Sequence, residues 1–293
     1  MADRNNAPRR IRKKPKTMRG EIWYRFCKNK LALIGLFFLI FLFLVAVFAP
    51  LLSPYGYEVQ NPDEILLTPC REHLLGTDNF GRDILSRIIY GSRVSLMVGF
   101  STVLFSLIIG VFLGALAAYY VKLDNILMRI VDIIGGIPQM LLAIAIAATL
   151  GSGLRNMIIA VIISTVPGYA RITRSTVLSI KESEYVEAAH SIGVNDFHII
   201  LRHILPNALS PIVVQATLGV ANAIMASATL SFMGLGIQPP SPEWGAMLSA
   251  GRSYLRDYPH MCLVPGTALL LVSYALNVLG DGLRDALDPR LKN

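Results

Sequence analysis

Apolar residues along this chain come in long runs, not in the short alternations of a soluble fold. Six such runs lie at 31–49, 94–118, 130–149, 156–170, 208–236 and 262–280. They reach or approach the roughly 20 residues that a helix needs to cross the hydrocarbon of a bilayer. The pattern predicts an all-α membrane protein with six transmembrane helices. The run at 31–49 carries no charge and is read as an uncleaved anchor, because the leader before it is too long for a signal peptide and Phe48-Ala49-Pro50 is a poor cleavage site.

One polar island interrupts the second half of this pattern. Residues 179–206 read SIKESEYVEAAHSIGVNDFHIILRHILP and predict two short helices with a turn. Ser179 and Glu182 have the spacing of a capping box, Gly193 suits the left-handed position that ends a helix, Asn195 suits the next N-cap, and Pro206 marks a stop. Helical spacing groups Tyr185, Ala188, Ala189 and Ile192 on the first helix, and Phe197, Ile200, Leu201 and Ile204 on the second. Glu184 and Glu187 are left facing water, so the elbow is expected to meet a partner there.

The apolar runs are not uniform rods. Gly135, Gly136 and Pro138 interrupt the third, Pro167 and Gly168 are expected to end the fourth, and small residues fill 216–231 of the fifth. Such breaks are tolerated in a membrane only where the backbone faces protein or a water-filled cavity. A pathway through spans three to five is therefore expected, with Pro138 and Pro167 as candidate pathway or gating positions. Close helix packing accounts for the small residues equally well.

Composition agrees with the pattern: 54% of the 293 residues are hydrophobic and only 16% are charged, against roughly 25% charged in soluble domains. The net charge of +8 is unevenly spread. Residues 1–30 hold 11 of the 27 Lys and Arg, which reads as a basic cytoplasmic arm facing anionic membrane lipid, ending in an interfacial helix around Trp23, Tyr24 and Phe26. With the N-terminus inside, the cytoplasmic segments hold 20 of the Lys and Arg and the outer loops hold 7, so both termini and the 171–207 loop are placed in the cytoplasm. The expected organisation is the arm (1–30), a first span (31–49), an outer loop (50–93), a core of five spans (94–280) and a cytoplasmic tail (281–293).

Few residues invite chemistry of their own. Asp132 is the only acid inside a predicted span, a candidate proton or cation site, although Arg129 one turn away offers a structural partner. Residues 76–83 read GTDNFGRD, with the glycine spacing of a phosphate loop but Arg82 and Asp83 where Lys and Ser or Thr are needed. No other stretch supplies a phosphate loop. His190, His198 and His203 do not share a helical face and have no cysteine with them, so no metal is expected. The elbow is net acidic, the wrong sign for nucleic acid. Cys70 and Cys262 are compatible with an outer disulfide, but unpaired thiols are the simpler expectation.

Glu187-Ala188-Ala189, three residues, Gly193, nine residues and His203-Ile204-Leu205-Pro206 resemble the cytoplasmic EAA loop of ABC importer permeases, E-A-A-x3-G-x9-I-x-L-P, with His203 at the Ile position. The likeness extends to NKLALIGL, HLLGTDNFGRDILSRIIYGSR, PGYARITR, SFMGLGIQPPSPEWGAML and LGDGLRDALDPRL, which are similar to the C-type permease of dipeptide and oligopeptide importers, a family that nickel importers share. The resemblance implies a multi-pass subunit of a bacterial or archaeal cytoplasmic membrane that is not itself catalytic. Its implied partners are a second, homologous permease, two cytoplasmic ATPases that carry ATP and Mg, and an extracytoplasmic substrate-binding protein. It assigns ATPase coupling to the elbow, through Glu184, Glu187, Ala188, Ala189, Gly193, His203, Leu205 and Pro206. The competing readings are a proton-coupled secondary transporter using Asp132, a nickel importer, and a receptor or scaffold without transport.

Overall fold

A computed structural model describes residues 18–287; most of the basic arm and the last six residues lie outside the described residues. A short helix, α1 (Met18–Phe26), leads into the first span, α2 (Lys30–Val47), which Asn29 caps by accepting the Ala32 N–H. A four-residue helix, α3 (Ala49–Leu52), and the outer loop follow. The remainder is α4 (Ile84–Tyr119), α5 (Val121–Gly135), α6 (Gln139–Leu150), α7 (Leu154–Lys181), α8 (Glu184–Ser191), α9 (Asp196–His198), a π-helical segment (Ile199–Ile204), α10 (Leu205–Phe232), α11 (Trp244–Gly251) and α12 (His260–Leu287).

Among the described residues, five helices are long and apolar enough to cross a membrane, and α5 with α6 makes a sixth if that bent pair is counted as one span. The pair bends by 86° across Gly136, Ile137 and Pro138, where Pro138 stands at the N-cap of α6. The third span is thus a broken one, with the break where the sequence places it, but its first half begins at Val121 and takes in the stretch read as a cytoplasmic loop.

Two expectations about prolines fail, each for its own reason. Pro167 does not end the fourth span: it is buried inside α7, which continues to Lys181. Pro206 does not stop a helix either. It lies in the first turn of α10, where its missing N–H costs nothing. The capping box at Ser179 and Glu182 is also absent, because Ser179 is still inside α7 and Ser183 begins the next helix.

The bundle is built around α4, which packs against α7 most extensively and also against α2, α5 and α10, while α12 lies against α2 and α10. Its outer end is fastened by a folded cap. Asp83 caps α4, accepting the Ser86 N–H and Ser86 Oγ–H at 2.7 Å each. Its other oxygen lies 2.9 Å from Nδ1 of His73, whose Nε2 lies 3.2 Å from Glu64. The Tyr55 ring covers the imidazole at 4.8 Å between centroids.

The cap also explains the phosphate-loop spacing. Gly76 and Gly81 have φ of +79° and +69°, and a β-carbon on Gly81 would stand 1.9 Å from the Asn61 carbonyl oxygen. These glycines serve a tight, crowded turn, and the acid at position 83 caps a helix. Across the same end, Trp244 is fully buried, donating from Nε1 to the Ile88 carbonyl at 3.2 Å, and Glu243 caps α11 through the Gly245 and Ala246 N–H groups. All three cysteines, Cys27, Cys70 and Cys262, are free thiols, which removes the Cys70–Cys262 disulfide.

Burial pulls the His73 imidazole toward its neutral form, but hydrogen bonds and charge from Asp83 and Glu64 outweigh it, and the pKa is raised above the ordinary 6.5. A group with a raised folded pKa contributes stability that is complete below its unfolded value and is lost as pH rises through the folded one. Heat unfolding should therefore show stability declining as pH is raised from about 6 into the alkaline range, and His73→Gln should remove that decline while lowering stability on the acid side.

Candidate functional site: a cytoplasmic elbow and a polar groove

The elbow is a helical hairpin pinned to the bundle by its inner face. Val186 and Ala189 of α8 are buried together with Ile199, Ile200 and Ile204, against Ala115 and Ala118 of α4 and Val177 of α7. Polar fasteners surround this cluster. The Tyr119 hydroxyl donates to Asp196 at 2.7 Å, and Lys181 donates to the Tyr119 carbonyl at 2.8 Å with its ammonium 5.1 Å from the centre of that ring. Lys181 thus satisfies a carbonyl at the C-terminal end of α4, where a cation is favoured.

The turn between α8 and α9 is as expected. Gly193 has φ +81°, with nothing within 4 Å of where a β-carbon would be, so backbone conformation and not crowding requires glycine there. The Val194 N–H reaches back to the Ala189 carbonyl and the Gly193 N–H to that of His190. Asn195 caps the following turn, its side chain accepting the Phe197 N–H at 2.9 Å.

The outward face differs from the expected stripe. Glu184, Glu187 and Ala188 are exposed while Ala189 is buried. Tyr185, Ile192, Phe197 and Leu201, grouped by periodicity with core positions, are also exposed, Ile192 by 81% and Phe197 by 68%. The physical reason is length: each of α8 and α9 is too short to bury a full stripe, and Val186 and Ile199 take the inner face instead. The elbow therefore shows water an apolar surface flanked by two carboxylates.

His203 lies in the π-helical segment, partly covered, with its carbonyl accepting the Asn207 side-chain amide at 2.7 Å. Leu205 and Pro206 open α10, the first partly buried and the second exposed. The three elbow histidines form no metal cluster, and none is found among the described residues.

Asp132 pairs with Arg171 of α7 at 3.1 Å, not with Arg129. Asp124, one helical stretch earlier, makes a two-pronged pair with Arg174 at 2.6 Å. Both contacts tie α5 to the cytoplasmic half of α7, so Asp132 belongs to a row of interhelical ties. Pro138 is exposed at the α5–α6 bend and does not meet Pro167, which is buried among the helices.

A feature not singled out from the sequence lies between α7 and α10. A cavity of about 110 Å³ is lined by Gln139, Ser164, Thr165, Gln215 and Asn222, among others. A second, of about 530 Å³ and lined by Ser210, Gln215 and Arg284 among others, continues toward the ends of α7 and α12. The two meet at Gln215 to make a groove whose smaller part is lined by amide and hydroxyl side chains and whose larger part is mainly apolar, with Ile172, Val214, Leu218 and Leu287. The signal was present in α10: Asn207, Pro211, Gln215, Asn222 and Thr229 recur at helical spacing within an apolar run.

Residues 106–293 match the family described as binding-protein-dependent transport system inner membrane component, and residues 17–69 match the N-terminal TM domain of oligopeptide transport permease C. The chain is 48% identical over 274 residues to the dipeptide transport system permease protein DppC of Alkalihalophilus pseudofirmus, covering 93% of this chain and 90% of that one. It is 45% identical to the glutathione transport system permease protein GsiD of Pectobacterium atrosepticum, covering 93% and 91%, and 44% identical to the di/tripeptide transport system permease protein DppC of Pseudomonas aeruginosa, covering 93% and 92%. A structure of the MetNI methionine ABC transporter in an inward-facing conformation shares the fold, with a TM-score of 0.58, 21% identity and coverage of 69% of this chain and 96% of that one. The chain belongs to the family of binding-protein-dependent transport system inner membrane components, as a multi-pass permease subunit of an ABC importer.

Proposed function

We propose that this permease imports short peptides, that a partner ATPase docks on its elbow, and that the groove between α7 and α10 is its share of the path. The observation that carries the coupling part is the outward face of the elbow. Its exposed Tyr185, Ile192, Phe197 and Leu201 stand beside Glu184 and Glu187 on a hairpin whose inner face is already filled. Such a face suits a groove on another protein that is apolar at its centre and basic at its rim.

On this reading Glu187 and Glu184 contact the basic rim, Ala188 lets the helix approach closely, and Ala189 packs inward. Gly193 fixes the angle of the hairpin. His203, Leu205 and Pro206 lie where the hairpin becomes α10, so a push on α8 reaches α10 through them. The ATPases are two separate cytoplasmic chains that bind ATP and Mg. A second, homologous permease completes the path, and an extracytoplasmic binding protein delivers substrate. The peptide class rests on the names of the relatives, which are permeases for dipeptides, di/tripeptides and glutathione. It agrees with a groove of amide and hydroxyl side chains, which donate and accept hydrogen bonds as a peptide backbone does.

Glu187→Arg should insert and assemble in the membrane yet lose ATP-driven peptide uptake in the reconstituted importer by about tenfold or more, equivalent to about 1.4 kcal/mol of coupling; undiminished uptake would remove the docking assignment. Gly193→Ala should cost about 1–2 kcal/mol through its left-handed backbone, seen as faster amide exchange confined to the elbow and a parallel fall in uptake. Asn222→Leu should leave ATPase docking intact and lower peptide uptake. Uptake that stays normal in that variant would mean the groove is not the path.

A further inference from the structure

Beneath the outer cap lies a cavity of about 60 Å³, lined by Asp78, Arg82, Arg87, Ser241, Met247 and Met261 among others. Arg82 and Arg87 are each only 3% exposed, and Asp78 7%. These are the only charged residues lining it, two cations against one anion.

The single carboxylate is already engaged. Asp78 Oδ1 accepts the backbone N–H groups of Phe80 and Arg82 at 2.8 and 3.0 Å, and Oδ2 accepts Arg82 Nε at 2.7 Å. Arg87 Nε forms an ion pair with that same oxygen at 3.6 Å, too far for a hydrogen bond, and has no hydrogen-bond partner, so two guanidinium groups share one carboxylate. The Nη1 group of Arg87 is used on the Tyr57 and Pro240 carbonyls. The nearby acids are committed elsewhere, Asp83 and Glu64 on His73 and Glu243 on the first turn of α11. A buried cation without its full share of negative charge is costly.

The geometry points to a bound monovalent anion of chloride size, held between Arg87 and Arg82 and locking the outer cap onto α4 and the 239–261 segment. The two guanidinium groups select an anion, and size rules out a large organic one: the cavity is far smaller than the roughly 300 Å³ or more of a pocket for an organic ligand. A peptide or a partner's acidic side chain with its backbone does not fit. The site is separate from the groove, so it is a stabilising site of the outer face and not a station on the path.

The test uses the purified importer complex. Its heat-unfolding midpoint, measured in potassium chloride and in potassium gluconate at equal ionic strength, should rise saturably by a few degrees with chloride, and bromide should substitute. Crystals soaked in bromide should show an anomalous peak beside Arg87 Nε. Arg82→Gln leaves one guanidinium for one carboxylate and should abolish the chloride response. Equal midpoints in the two salts, a chloride response retained in Arg82→Gln, or water alone at the site in bromide-soaked crystals would each overturn the proposal. If Arg82→Gln fails to fold, the bromide map of the unaltered protein decides.

Discussion

A β-carbon on Gly110 would stand 2.4 Å from Cβ of Tyr169, and one on Gly114 would stand 2.4 Å from the Ala170 carbonyl oxygen. Helices α4 and α7 thus meet with almost no side chain between them. Lipid is as apolar as leucine, so burial of apolar surface gives helices little reason to associate in a membrane. What holds these two together is close approach, which multiplies weak dispersion contacts, supplemented by the Ser106–Thr165 hydroxyl contact at 2.7 Å. Tyr169 shows how tightly the third partner is fitted, since its hydroxyl stands where a β-carbon on Gly219 of α10 would be.

The rest of the molecule is arranged along this contact. The 36 residues of α4 run from the Asp83 cap at one end to Tyr119 at the other, where Asp196 and Lys181 join it to the elbow. Helix α7 carries the groove residues Ser164, Thr165 and Tyr169 in its middle and Arg171 and Arg174 further on, where they bind α5. A displacement of the elbow is therefore not a loop motion. On the proposed docking it would act on the ends of two helices in close backbone contact, with α5 tied to one of them through Asp124 and Asp132.

The parts legible in the sequence are those set by local rules. Apolar run length marked the spans, the Gly136–Pro138 break the bend, and Gly193 and Asn195 the turn of the elbow. The misreadings came from residues whose role depends on what is already around them. Proline is tolerated at Pro167 because neighbouring helices enclose the freed backbone, and at Pro206 because a helix start needs no N–H there. Asp132 found Arg171, 39 positions away, in preference to the arginine one turn off, a choice that only the packing of α5 on α7 can make. The glycine spacing at 76–83 resembles a phosphate loop because both structures need positive φ and a bare backbone; Arg82 and Asp83 already exclude that reading, and the crowding of Gly81 by Asn61 shows what the glycines are for.

The elbow's surface is where sequence and structure differ most usefully. Periodicity treats Ile192 and Phe197 as core because it assumes that a helix buries its apolar side within its own chain. Here the inner face is already complete, with Val186, Ala189, Ile199 and Ile204 each less than 8% exposed, so the remaining apolar side chains have no place within this subunit. Keeping large hydrophobes in water is unfavourable by roughly 1.5–3 kcal/mol each relative to burial. The proposed docking would recover that energy and give the elbow a free-energy reason to stay on its partner. On the same proposal, the exposed carboxylates of Glu184 and Glu187 at the edge would set partner and orientation, since charge at a rim directs encounter more than it adds affinity. On the proposed docking, the hairpin would separate adhesion, supplied by its apolar face, from recognition, supplied by its acids, and its contacts around Tyr119 join it to α4 and α7.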